Sequence, residues 1–321
     1  MLGHRLAGSP ERGADHARSL QLAAADLPGP ARLMGLVISG HAALAAGRVG
    51  EALPPLREAW AGLAGSAHEF RFRCRTLLVT ALAQAGEPEQ AALLLAGLVA
   101  EQHPAYRMMA PDDLLARAWV AAAAGSATEA VALAVEAATV ARDAGWSAYE
   151  VLAWQTAVQL GDPSVALPRL AQLVGTSPRA AAAHAHAQAW ADADGDHLVE
   201  CAHHWTGLGD LVAAGDAAAQ AADVHRRTGR RGSAVSAVAL AEALAARSGA
   251  RTPALAIAAR PLPLTRRERE IVVLAARGLS NKSIAERLTV SVRTVEGHLY
   301  RATHKLGVSE RAALAEVVGL E

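Results

Sequence analysis

Regularly spaced glycines constrain the fold of the first three quarters of the chain more than any other feature. Six of them end successive Ala- and Leu-rich segments at intervals of 39, 39, 36, 34 and 34 residues: Gly47, Gly86, Gly125, Gly161, Gly195 and Gly229. Five residues later comes an alanine in five cases, at Ala52, Ala91, Ala130, Ala166 and Ala234, whereas Glu200 followed by Cys201 takes that place in the sixth. Gly can adopt the left-handed conformation that closes a helix, and Ala lets the next helix pack closely. The pattern therefore predicts consecutive helical hairpins.

Composition supports an all-α fold. The 321 residues are 52% hydrophobic and only 3% aromatic, and Ala, the best helix former, dominates the hydrophobic fraction. Alternating strand patterns are scarce. This length favours about two domains.

The sequence divides into four predicted segments. Residues 1–30 are rich in Gly, Pro, Arg and Asp, which predicts a partly disordered N-terminal segment, and residues 31–248 form the helical-repeat domain. Residues 249–263 contain Pro253, Pro261 and Pro263 and are predicted to be a linker to a C-terminal domain at 264–321. Over residues 35–245 the chain resembles tetratricopeptide-type repeats, with Ala and Leu at most of the family's aromatic positions. An irregular helical bundle is the alternative.

Four short amphipathic helices are predicted in the C-terminal domain, each beginning at a Ser or Thr: Thr265, Ser280, Ser291 and Ser309. Thr265 and Glu268 have the spacing of a capping box. The expected buried residues lie on the first helix at Ile271, Leu274 and Ala275, on the second at Ile284, Ala285 and Leu288, and on the third at Val295, Leu299, Ala302 and Leu306. Gly278 and Gly307 are expected to end the first and third helices.

The second and third of these helices have the lengths and connection of a DNA-binding helix-turn-helix. In that geometry the third helix enters the major groove and the second crosses the backbone. Arg293, Thr294, Gly297, Tyr300 and Arg301 are then predicted on or beside the outward face. Lys282 and Lys305 suit phosphate contacts, as do the free amides at capped helix N-termini.

The same residues closely resemble the LuxR-type family of bacterial regulators. The matching elements are Leu264-Thr265-x-Arg267-Glu268-x-Glu270, Gly278-x-Ser280-Asn281-Lys282-x-Ile284-Ala285, Ser291-x-x-Thr294-Val295, His298 and Lys305-Leu306-Gly307-Val308. The resemblance implies that the domain binds double-stranded DNA as a dimer, with the helix beginning at Ser309 at the dimer contact. The predicted DNA-binding residues are Asn281, Lys282, Ser291, Arg293, Thr294, Glu296, Gly297, His298, Tyr300, Arg301 and Lys305.

Two positions depart from the family pattern. Ser283 stands where the family usually has Glu, and Glu296 stands where many members have a Lys that faces DNA. A carboxylate at 296 repels phosphates unless it accepts a hydrogen bond from a cytosine amine. We therefore expect Glu296 to tune sequence preference without abolishing binding.

Charge and cysteine content agree with an intracellular DNA-binding protein. Residues 261–321 hold 10 Lys and Arg against 7 Asp and Glu, whereas the remainder holds 21 against 24. Lys282 and Lys305 are the two lysines of the chain, and both lie in the C-terminal domain. Either their positions matter for function or they occur there by chance. Two cysteines, Cys74 and Cys201, do not make a disulfide framework, and neither a signal peptide nor a membrane span is evident. The predicted location is the cytoplasm.

The sequence predicts no cofactor, no metal site and no enzyme activity. No GxxxxGK[ST] phosphate-binding loop is present, so the sequence does not predict the ATPase that precedes such repeats in the large ATP-binding LuxR-type regulators, and a phospho-receiver is not apparent either. The acidic run from Asp192 to Glu200 lacks the spacing of a calcium loop. His184, His186, His197, His203 and His204 with Cys201 are better explained as surface and core side chains than as metal ligands. The six tryptophans are expected to be core anchors, with one or two lining a ligand groove.

The sequence therefore predicts an all-α, two-domain regulator: a tetratricopeptide-like helical-hairpin solenoid followed by a four-helix LuxR-type domain. The repeats are expected to receive a protein or small-molecule signal, and the C-terminal domain to bind promoter DNA as a homodimer. The alternative is a helical-repeat scaffold for protein partners whose C-terminal domain serves mainly in assembly.

Overall fold

The computed structural model describes residues 10–27, 29–64, 69–100, 108–259, 266–276, 278–288, 290–306, 308 and 314. These residues form α-helices and connecting turns, without a β-strand among them. The helices of the N-terminal region are α1 (Pro10–Ala24), α2 (Pro30–Ala45), α3 (Val49–Gly62), α4 (Glu69–Gln84), α5 (Pro88–Ala100), α6 (Ala110–Ala123), α7 (Ala127–Asp143), α8 (Ser147–Gln159), α9 (Leu167–Leu173), α10 (Pro178–Ala191), α11 (Gly195–Gly207), α12 (Leu211–Arg227), α13 (Arg231–Ser248) and α14 (Pro253–Ala258). The C-terminal region contains α15 (Arg266–Ala276), α16 (Asn281–Leu288) and α17 (Val292–Leu306). The prediction of an all-α fold is confirmed.

Glycine turns followed by buried alanines build the hairpins, as the spacing predicts. Backbone φ is positive at five of the six predicted glycines, Gly47, Gly86, Gly125, Gly161 and Gly229. The alanines that follow them are buried, with exposed fractions of 0% at Ala52, Ala91, Ala130 and Ala166 and of 4% at Ala234. Each small side chain lets the second helix of a hairpin approach the first.

Gly195 is an exception, and its predicted role was wrong. It begins α11 instead of ending a helix, and the left-handed residue of that turn is Ala193, with φ of 51°. A Cβ atom on Gly195 would lie 2.4 Å from the His225 ring, so glycine is required there for close packing against α12. Left-handed glycines also occur at Gly145 and Gly209, between the predicted ones, so the helical units are shorter than the spacing suggests.

The hairpin array closes on itself through contacts between segments far apart in the chain. The amide of Leu211, at the start of α12, donates to the carbonyl of Ala46, and the amide of Arg251 donates to the carbonyl of Gln84. Helix α12 is buried along nearly its whole length and packs between α11 and α13. The array is thus more closed than an extended solenoid.

The two segments predicted to be irregular differ from expectation. Helix α1 lies within residues 1–30 and packs on α2 through Ala17, which is 3% exposed. Within 249–263, α14 packs on α12 and buries Leu255 and Ala258. Pro253 begins α14 at its first turn, where proline is tolerated. Residues 260–263 of the predicted linker lie outside the described residues.

The histidine and tryptophan predictions are partly resolved. His186 is fully buried: Trp205 Nε1 donates to its Nδ1 at 3.3 Å, so Nε2 carries the proton toward Gln220 Oε1 at 2.6 Å. Burial lowers the pKa of His186 to about 4, so the ring is a neutral core group. Trp119, Trp154 and Trp205 are also core residues. Within the described part of the chain, no group of three or more His, Cys, Asp or Glu side chains is placed to hold a metal ion.

The acidic turn before α11 is a helix cap. Asp194 accepts hydrogen bonds from the amides of Asp196 and His197, both at 3.1 Å. These backbone hydrogen bonds lower the pKa of Asp194. The helices within the described ranges include none long and apolar enough to cross a membrane.

Candidate DNA-binding surface

A second, smaller hydrophobic core holds α15, α16 and α17 together. Its residues on these helices match the predicted apolar positions except Leu288, which is only partly buried, and include Val272 in addition: Ile271, Val272, Leu274, Ala275, Ile284, Ala285, Val295, Leu299, Ala302 and Leu306. On α17 the buried residues recur every three or four positions, which places one face inward along the whole helix. The opposite face is therefore fixed in direction and available to a partner.

Serine caps start α16 and α17 as predicted. Ser280 Oγ accepts from the amide of Ser283 at 3.1 Å, and Ser291 Oγ accepts from the amide of Thr294 at 3.1 Å. In each pair the two hydroxyls also lie within hydrogen-bond distance, 2.8 Å for the first and 2.7 Å for the second. Such caps satisfy amides that have no partner within the helix. Ser283 thus contributes a hydroxyl where the family pattern has a carboxylate. The predicted partner of Glu268 in a capping box, Thr265, lies outside the described residues.

The exposed side of α17 carries most of the predicted DNA-binding residues. Arg293, Thr294, Glu296 and Tyr300 are exposed, Tyr300 to 73%, and Gly297 and His298 are half-buried beside them. Arg301 Nη2 lies 3.0 Å from His298 Nδ1, which joins two of these side chains on successive turns. At the start of the helix, the Ser291 hydroxyl is committed to the cap. On α16, Lys282 is exposed and Asn281 is half-buried.

Lys305 is placed differently from the phosphate-contact prediction. Its Nζ lies 2.7 Å from Glu268 Oε2, and that carboxylate is only 3% exposed. Arg301 Nε approaches the other oxygen of Glu268 at 3.7 Å. Because an unpaired buried carboxylate is costly, this ion pair ties α17 to α15. Glu268 therefore has a structural role that its assignment to a capping box missed.

Gly297 breaks the usual preference of a helix interior. Glycine destabilises such a position by roughly 0.5–1 kcal/mol relative to alanine. A Cβ atom here would meet only the Arg301 Nη1 atom, at 3.7 Å, which is ordinary van der Waals contact. The described packing therefore gives no reason for glycine at this position. Close approach of something outside the chain would give one.

Two further contacts were not predicted. Arg267 Nη2 donates to the carbonyl of Leu288 at 3.0 Å, which satisfies an acceptor at the end of α16. Val235 of α13 is 4% exposed and belongs to the smaller core, so the repeat region contributes a side chain to the C-terminal domain. The local sequence gives no signal for these contacts. Arg267 is simply a basic residue beside a Glu, and Val235 is a valine in an Ala-rich helix.

Comparison with known proteins identifies the C-terminal domain. Residues 262–318 match the family model described as bacterial regulatory proteins, luxR family. It is a LuxR-family helix-turn-helix domain. A Mycobacterium tuberculosis protein named as an HTH-type transcriptional regulator is 51% identical over 53 residues, which are 16% of this chain and 6% of that protein. The oxygen regulatory protein NreC of Staphylococcus aureus is 49% identical over 53 residues, 16% of this chain and 24% of NreC.

The similarity covers a small part of these relatives. This chain matches well under two thirds of their length, over 53 residues in each case, and the family model matches residues 262–318. These comparisons therefore identify the C-terminal domain alone.

Proposed function

We propose that the chain is a sequence-specific, DNA-binding transcriptional regulator. The supporting observation is the outward face of α17, which presents Arg293, Thr294 and Tyr300 to solvent from a helix fixed by its own buried stripe. A helix of 15 residues is about 22 Å long and fits the major groove. Specific recognition uses residues near the start of such a helix, where Arg293 and Thr294 lie.

The residue roles follow from these positions. Arg293, Glu296, Gly297 and Tyr300 face the groove, and His298 and Arg301 act from its edge. Asn281 and Lys282, at the start of α16, meet the phosphate backbone, as does the N-terminus of α17 that Ser291 caps. Lys305 supports the domain from behind instead of contacting phosphates.

The quaternary and regulatory parts of the proposal extend beyond the LuxR-family domain. We propose a homodimer on DNA and a helical-repeat domain that receives a protein or small-molecule signal. The domain division that goes with this is 31–248 for the repeats and 264–321 for DNA binding, with α14 packed on the repeats. The helix predicted from Ser309 lies outside the described residues apart from Leu314, which is buried in the smaller core.

Arg293→Ala tests the proposal against a charge-matched control. A labelled duplex selected from a randomised library is titrated with the full chain at several salt concentrations. Loss of a guanidinium contact to a guanine should weaken binding by about 1–3 kcal/mol and relax preference at that base pair. Arg247→Ala removes the same charge from an exposed position on α13 and should leave binding within about twofold. Equal effects of the two variants would contradict this placement of α17.

The scaffold alternative makes a different prediction. If the C-terminal domain served only in assembly, the protein would not show the decrease in DNA affinity with rising salt concentration that counterion release produces. A chain truncated after Ala259 should lose that retention entirely if DNA binding resides in the LuxR-family domain.

A further inference from the structure

A cavity of about 670 Å³ lies where the helical-repeat region meets the LuxR-family domain. Two helices form its walls. Helix α11 contributes Asp196, Glu200 and His203 from one face, and α13 contributes residues spaced by three or four positions, among them Ser233 and Ser236. This volume is within the usual range for small-molecule sites.

The cavity touches both parts of the chain. His225 of α12 lines it from the repeat region, and Val308, two residues after α17, lines it from the LuxR-family domain. Helix α13 presents Ser236 to the cavity while the neighbouring Val235 enters the core of the LuxR-family domain. Helix α13 therefore contacts both the cavity and the core of the LuxR-family domain.

His225 supplies a buried polar atom that lacks a partner. The side chain is 1% exposed, and its Nδ1 has no hydrogen-bond partner in the described part of the chain. Burial and, to a smaller extent, the nearby Arg230 lower the pKa of His225. Its Nε2 lies 3.7 Å from Asp196 Oδ1, which is beyond hydrogen-bond distance, so this contact does not decide which ring nitrogen carries the proton.

The charged groups around the cavity favour a cation. Asp196 is paired with Arg230, so its charge is balanced. Glu200 is 74% exposed, and its ion-pair partner among the described residues is His197, whose Nε2 lies 3.8 Å away, which leaves most of the carboxylate accessible. The carboxylates of Asp196 and Glu200 are thus the acidic groups among the described lining residues, which favours a ligand with a positive charge. Val199, Leu240 and Val308 add an apolar wall.

We propose that this junction cavity binds a small organic cation, such as a primary amine with a short apolar part. Its ammonium group meets Glu200 and the carboxylate side of α11, beside the His225 ring, and the apolar part lies against Leu240 and Val308. Occupancy changes how the LuxR-family domain lies against α13, and thereby the affinity for DNA. This last step rests on the proposed function; the binding site does not.

Three molecules of similar shape and different charge test the ligand class on the full chain. Phenethylamine, 2-phenylethanol and 3-phenylpropionate are titrated by calorimetry without DNA. Phenethylamine should bind about tenfold more tightly than the other two, the effect of one charge-assisted hydrogen bond. Glu200→Gln should remove most of this preference, whereas Glu242→Gln, on an exposed position of α13, should retain it. Ser236→Leu should block the cavity to all three molecules.

Binding and regulation are distinguished by a second measurement. The affinity for the selected duplex is measured with and without saturating phenethylamine, in the unaltered chain and in Ser236→Leu. A change confined to the unaltered chain is expected. Equal binding of the three probes, or no effect of Glu200→Gln, overturns the site. Amine binding that leaves DNA affinity unchanged overturns the regulation, and absence of DNA binding in every sample overturns the proposed function alone.

Discussion

Replacing Gly297 by alanine should stabilise the LuxR-family domain and weaken DNA binding at the same time. Among the described residues, the added methyl group meets only the Arg301 Nη1 atom, at 3.7 Å, so it introduces no clash with them. Alanine is better than glycine in a helix interior by about 0.8–1 kcal/mol, partly because the unfolded chain loses freedom. We therefore expect stabilisation of α17 by roughly 0.5–1 kcal/mol.

The expected loss of DNA affinity has a steric cause. Gly297 lies between Glu296 and the His298–Arg301 pair on the side of α17 proposed to enter the groove. If a base edge or sugar approaches the helix backbone there, a methyl group displaces the helix and weakens several contacts together. A loss of about 1–3 kcal/mol, comparable to one good base contact, is expected.

Two assays on one variant separate these effects. Hydrogen exchange of the α17 amides measures local stability, and fluorescence anisotropy with the selected duplex measures affinity. Gly207→Ala is the matched control, because that glycine also lies in a helix and a Cβ atom there meets nothing within 4 Å. Unchanged affinity in Gly297→Ala would refute the close approach of DNA, and faster exchange would refute the stability argument.

Three further substitutions test other parts of the structure. Asp216 is fully buried and its pKa is raised to about 7, chiefly by burial, so its contribution to stability is greatest below pH 4 and is lost as the pH rises to 7. The difference in unfolding free energy between Asp216→Asn and the unaltered chain should thus shift in favour of the variant by up to about 4 kcal/mol between pH 4 and 8. Denaturant titrations at several pH values measure this difference, and a constant value would contradict the buried charge. Lys305→Ala should lower the melting temperature by leaving Glu268 poorly paired, while the salt dependence of DNA binding stays the same; a slope reduced by about one would instead indicate a phosphate contact. Glu296→Lys should strengthen or broaden DNA binding, and an unchanged profile on a randomised duplex library would count against its role in sequence preference.

The helices could be predicted because the two features that define them, the spacing of the apolar residues and the capping residue, lie close together in the sequence. The buried stripe of α17 follows from a 3.6-residue period, and Ser280 and Ser291 cap the helices that directly follow them. Left-handed turns at Gly47 and Gly229 likewise need only the absence of a Cβ atom. Such features do not depend on what the rest of the chain does.

Features that depend on distant partners were not predictable. Gly195 is needed because the ring of His225, thirty residues later, lies against it. Glu268 is a buried ion-pair partner because α17 brings Lys305 to it. The proline-containing stretch was predicted as a linker, yet Thr252 caps α14 by accepting from the amide of Leu255 and bonds to Asp216 of α12. Proline indicates where a helix cannot continue, but not whether the next one packs.

The junction between the two cores is small enough to be adjusted by a ligand. Val235 is the described repeat residue that enters the core of the LuxR-family domain, and complete burial of one valine contributes about 1.5–3 kcal/mol. Coupling energies between a ligand site and a second site are typically 1–3 kcal/mol. A ligand in the cavity beside Ser236 therefore changes the fraction of molecules in which the LuxR-family domain lies against α13 if its binding free energy differs by that amount between the two arrangements. A much larger apolar interface would hold the DNA-binding domain in one position whatever occupied the cavity.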